Sequence, residues 1–76
     1  MSGQLPALKP RDVIRALLRA GYTIERIKGS HHHLRRPGAP KIMITVALHS
    51  GDIKPGTLRA IIGQTGLTAE EFLALL

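Results

Sequence analysis

The chain has no cysteine and no tryptophan. Without thiols it can form neither disulfides nor thiolate zinc sites, and a reducing compartment is its natural setting. Its aromatic residues are one tyrosine and one phenylalanine, Tyr22 and Phe72. Two rings are too few for the exposed stacking platforms of RRM and OB-type single-strand binders, so both are expected in the core. Acids are scarce too, five against eleven Lys and Arg. Asp12, Glu25, Asp52, Glu70 and Glu71 are scattered along the chain, whereas a two-metal nuclease gathers several carboxylates around ions about 4 Å apart. No apolar run approaches the roughly 18 residues needed to cross a bilayer. The first residues, Met1 to Pro6, show neither the basic nor the apolar region of a secretion signal. A cytoplasmic protein without membrane association, metal or other cofactor is expected.

What is present is positive charge, unevenly placed. Residues 1–21 carry four basic groups and one acid, and residues 22–49 carry five and one together with all four histidines. Residues 50–76 carry two basic groups and three acids. A field concentrated in the first two thirds of a chain with net charge +6 suits a polyanionic partner, and RNA in particular.

At 76 residues the chain is one domain, near the lower limit for a core that holds without staples. Residues 1–8 are expected to form a flexible leader and 9–76 the domain. Pro10 and Asp12 suit the first turn of a helix. Val13, Ile14, Leu17 and Leu18 give it an apolar stripe, Arg11, Arg15 and Arg19 a separate row, and Gly21 its cap. The β-branched run Tyr22–Ile27 predicts a strand, Lys28-Gly29-Ser30 a break, and His31–Arg36 a second strand. Pro37 to Pro40 reads as a turn. In a third strand, Lys41–Val46, alternation puts Ile42, Ile44 and Val46 on one face. A helix follows from Pro55, with Leu58, Ile61 and Ile62 inward and Gly66 closing it. Thr68 and Glu71 form a capping box, flanked by Leu67 and Phe72 as a hydrophobic staple, before a final helix over Ala69–Leu75. The order α-β-β-β-α predicts an α+β fold: a three-stranded antiparallel sheet with helices on one face and a short extra C-terminal helix.

The strongest anomaly is the triplet His31-His32-His33, with His49 further on. Adjacent residues of a strand point to opposite faces, so the three imidazoles cannot easily converge on one ion. A nuclease that dispenses with metal must use the RNA's own 2′-hydroxyl as nucleophile. One group then removes its proton and another protonates the departing 5′-oxygen. Histidine suits that work near neutrality. Lys28, Arg35, Arg36 and Lys41 are candidate cations for the phosphate. Gly29 and Ser30 offer a tight turn whose backbone N–H groups could bind it.

Five stretches then carry a resemblance to a known family. They are Lys9-Pro10-Arg11-Asp12-Val13-Ile14 with Ala20-Gly21-Tyr22, Lys28-Gly29-Ser30-His31-His32, and His49-Ser50-Gly51. Lys54-Pro55-Gly56-Thr57-Leu58-Arg59 and Gly66-Leu67-Thr68-Ala69-Glu70-Glu71-Phe72 complete the set. In this order and spacing the chain resembles the HicA (YcfA-like) messenger-RNA interferase toxins over about residues 9–76. The resemblance implies a fold like that of double-stranded RNA-binding domains, mRNA cleavage, and neutralisation by a HicB-type antitoxin. It places the catalytic histidine at His31, with His32 as the alternative register and His49 as a further catalytic or RNA-binding candidate. Relatives often carry proline two residues before the later histidine, where this chain has Ala47.

Two other readings remain. A non-catalytic double-stranded RNA binder would share the fold. A DNA-binding helix-turn-helix over residues 57–76 would need a neutral or basic second helix, and this one carries Glu70 and Glu71.

Overall fold

The computed structural model describes residues 5–76. Its elements are α1 (Pro10–Arg19), β1 (Thr23–Lys28), β2 (His31–Arg36), β3 (Ala39–Ala47), α2 (Pro55–Thr65) and α3 (Ala69–Leu73). The strands form one antiparallel sheet in the order β1-β2-β3. The α-β-β-β-α order, with a third helix appended, is the α+β arrangement of a double-stranded RNA-binding domain.

Local chemistry explains the helix ends. Lys9 is extended, and its N–H donates to Asp12 Oδ2 at 3.2 Å, satisfying a donor that precedes the first turn. Pro10 occupies the first helical position, where no N–H is required. Gly21, with φ of +98°, turns the chain out of α1 toward β1. Gly66 is the left-handed cap of α2. The capping box at α3 is reciprocal: Glu71 N–H donates to Thr68 Oγ1 at 3.0 Å and Thr68 N–H to Glu71 Oε1 at 2.9 Å.

The core lies between the helices and one face of the sheet. Val13, Ile14, Ala16 and Leu17 from α1 meet Leu34, Ile44 and Val46 from the strands, with Leu58, Ile61, Ile62 and Phe72 from the last two helices. Tyr22 joins them, buried between α1 and β1. Residues 1–4 of the expected leader lie outside the described residues. Leu8 is already buried, its carbonyl accepting from Ile53 N–H at 2.8 Å, and Leu5 packs partly on the core.

Leu18 of the expected apolar stripe is 45% exposed, Lys28 extends β1 instead of opening the break, and three further details differ from the sequence expectation. Pro37–Pro40 is not all turn: Arg36 pairs with Ala39, and β3 begins there. Pro40 is tolerated because β3 is an edge strand, where a missing donor breaks no ladder. Ile42 stays 40% exposed, because the β2–β3 register is interrupted between Leu34 and Arg36, and it lies beyond the buried pair Ile44 and Val46. The last helix ends at Leu73 rather than Leu75. The segment beyond it is anchored instead by Arg19, whose Nη1 donates to the Leu75 carbonyl at 2.9 Å.

Candidate functional site

The β1–β2 hairpin sets the site. Lys28 pairs with His31, leaving Gly29 and Ser30 as a two-residue connection. Gly29 has φ of +61° while Ser30 is not in the positive region, the pattern of a turn with glycine at its first central position. A Cβ on Gly29 would meet nothing within 4 Å. Conformation, not crowding, therefore requires the glycine.

Register then assigns faces. His32 pairs with Ile27 and Val46, and Leu34 with Ile24 and Ile44, so His32 shares the helix side of the sheet with the buried residues. His31 and His33 lie on the opposite, open face, across from Ala47 and Thr45 on β3 and from Lys28 and Arg26 on β1. A bulge between Ile24 and Arg26 is what turns Arg26 to that face. His31 is exposed. His33 is half-buried, its Nδ1 sharing a hydrogen bond with Thr45 Oγ1 at 2.9 Å. His32 Nδ1 lies 3.4 Å from the Ser30 carbonyl.

The loop after β3 is tied to the same corner. Leu48 N–H donates to the Ser30 carbonyl at 2.7 Å, which brings His49 beside the hairpin turn. His49 is itself held, its Nδ1 accepting from Gly51 N–H at 3.2 Å. Beside it, on the way to α2, a cavity of about 320 Å³ is lined in part by Ala47, Asp52, Lys54 and Thr57. Asp52 pairs with Lys9 at 3.3 Å, so the charge along this cavity is mixed.

The cations named from the sequence fall into two groups. Lys28 stands next to His31, with Gly29 and Ser30 between them. Arg35 and Arg36 lie at the other end of β2, about 13 and 16 Å from His31 at the usual strand rise, and Lys41 lies on β3. Arg35 is engaged with Glu25 at 3.1 Å and with the Pro40 carbonyl. Arg36 lies on the helix side, its guanidinium carbon 5.6 Å from the Tyr22 ring centroid. Sequence reasoning missed Arg26, which the hairpin register carries to the histidine face. The signal was present in Lys28-Gly29-Ser30-His31, but locating Arg26 also required the bulge. Among the described residues, no three His, Cys, Asp or Glu side chains are grouped to hold a metal ion.

An open face with two histidines and two cations at a tight hairpin fits a polyanion rather than a buried small molecule. The model of the HicA toxin of bacterial toxin–antitoxin systems matches residues 10–67, from the start of α1 to just past α2. The chain belongs to the HicA toxin family. It is therefore the toxin half of a toxin–antitoxin pair, and membership implies a cognate antitoxin. A comparison with curated proteins returned no match. The family match includes the whole sheet and both histidine-bearing segments but stops before α3. No helix among the described residues is long and apolar enough to cross a membrane.

Proposed function

We propose that this HicA-family toxin is a metal-independent endoribonuclease that cleaves messenger RNA in the cytoplasm. The observation that carries the reading is the pairing of Lys28 with His31 across the Gly29-Ser30 turn. It exposes an imidazole at the end of a rigid strand, next to a cation and on one face with His33 and Arg26. His31 exchanges a proton with the reacting groups, while Lys28 and the Gly29-Ser30 backbone meet the phosphate. The 2′-hydroxyl attacks the adjacent phosphorus, the bond to the 5′-oxygen breaks, and a 2′,3′-cyclic phosphate forms. A HicB-type antitoxin with complementary negative charge silences the enzyme by covering this corner.

Purified toxin incubated with a messenger fragment in excess EDTA tests the mechanism. Cleavage should persist, and product ends should carry the cyclic phosphate or its hydrolysed form. A single 2′-deoxy substitution at a mapped cut site should abolish cutting there. Cleavage of the deoxy site, or strict dependence on magnesium, would overturn the mechanism.

A further inference from the structure

Cleavage by the 2′-hydroxyl needs two proton transfers, and His31 alone supplies one partner at a time. We propose that His33 is the second: it gives its proton to the departing 5′-oxygen while His31 takes the proton of the attacking 2′-hydroxyl. The inference rests on the reading of His31 just given and adds a residue that the histidine triplet alone does not single out.

Three observations support it. His31 and His33 lie on the same open face of β2, two residues and therefore about 7 Å apart along the strand. That spacing straddles a phosphodiester, with nucleophile and leaving oxygen on opposite sides of phosphorus. Second, the ring of His33 is oriented. Its Nδ1 is engaged with Thr45 Oγ1 at 2.9 Å, so in the imidazolium, where both nitrogens carry protons, Nε2–H is the one left to be transferred. Such a held ring is what a positioned proton donor requires, and neither His31 nor His32 has a side-chain partner of this kind among the described residues. Third, the charges around it suit a phosphate. Arg26 faces His33 from β1, with Lys28 beyond it, and His31 and Arg35 flank it on β2. On β3 the same face offers Met43, Thr45 and Ala47, which are uncharged. No carboxylate stands directly across from His33 to compete for its proton; Glu25 is engaged by Arg35.

The step balances. The 2′-oxygen bonds to phosphorus as its proton passes to His31. The bond from phosphorus to the 5′-oxygen breaks as His33 Nε2–H passes to that oxygen. Hydrolysis of the cyclic product reverses the roles: water gives a proton to His33, and the 2′-oxygen regains one from His31.

The experiment uses the full chain and a short RNA containing one mapped cleavage site, beside the same RNA with the 5′-bridging oxygen replaced by sulfur. A thiolate leaves without protonation, so it removes the need for an acid but not for a base. His33→Gln and His33→Ala should cleave the oxygen substrate at least about a hundredfold more slowly. On the sulfur substrate they should come within about tenfold of wild type, whereas His31→Ala should stay slow on both. The kcat/KM profile of the wild type should fall at high pH, where the acid is spent, and that fall should vanish in His33→Gln. Circular dichroism should remain native for this half-buried surface position. Full activity of both His33 variants on the oxygen substrate would overturn the proposal and leave His31 untouched. Equal slowness on both substrates would assign His33 to binding or structure instead, and so overturn it. Activity of His31→Ala on the oxygen substrate would overturn the underlying reading.

Discussion

At the scale of single residues, neighbouring positions in the hairpin face different surroundings. His31 and His32 are adjacent in sequence but lie on opposite sides of the sheet, so their substitutions should separate. His31→Ala should abolish growth arrest and RNA cleavage, with at least a hundredfold loss in rate and a native circular dichroism spectrum. His32→Ala should retain cleavage, because that ring faces Val46 and Ile27 rather than the open side. The reverse pattern in an induction assay would show that RNA approaches from the helix side. Gly29 makes a different prediction. Its positive φ is unfavourable for any L side chain, yet nothing crowds it. Gly29→Ala should therefore destabilise by about 1–2 kcal/mol, read as a lower melting temperature, while a D-alanine placed there by chemical synthesis should not. The sequence singled out this stretch and set His32 on the opposite face from His31 and His33, but which face meets the helices follows from the pairing of His32 with Val46 and of Leu34 with Ile44. The face of Arg26 was hidden as well, because it depends on a bulge at Glu25 that no local pattern announces.

Among the elements, those with strong local signals were legible and those shaped by neighbours were not. Pro10, Gly21, Gly66 and the Thr68–Glu71 box placed the helix ends closely, because each acts locally, through its own backbone or a side chain three residues away. The edge strands were harder to read. β1 is exposed at every position, so burial imposed no alternation on its sequence. β3 begins at Ala39 inside a run that resembles a turn, since an edge tolerates Pro40. Of the proposed site, the Lys28–His31 corner was readable from the sequence. The distant placement of Arg36 was not, because its stacking on Tyr22 is a tertiary contact. The C-terminal helices carry two predictions of stability. Phe72 is completely buried, so Phe72→Ala should cost about 3–5 kcal/mol, a large share of what so small a domain has. Thr68→Ala, which removes one half of the capping box, should cost about 1 kcal/mol. Thermal unfolding monitored by circular dichroism would check both, and an unchanged midpoint for Phe72→Ala would contradict the burial.

On the scale of the whole molecule, charge governs encounters. With a net charge of +6 the toxin should associate quickly with an acidic antitoxin at low ionic strength and more slowly as salt rises. If the antitoxin works by covering the proposed corner, amides of residues 28–36 should gain protection from hydrogen exchange in the complex. Silenced cleavage with those amides unprotected would mean that inhibition acts from a remote face. The open edge of the sheet has a further consequence, for handling the protein as much as for its biology. β1 presents Ile24 and Ile27, 38% and 55% exposed, along an edge with unpaired backbone groups. Such an edge invites strand-to-strand aggregation unless charge or irregularity blunts it. Here the bulge after Ile24 and the cations Arg26 and Lys28 do so. The two residues proposed to meet a phosphate should thus also act as gatekeepers of solubility. Neutralising both to weaken RNA binding should yield a protein that scatters light at concentrations where the wild type stays clear.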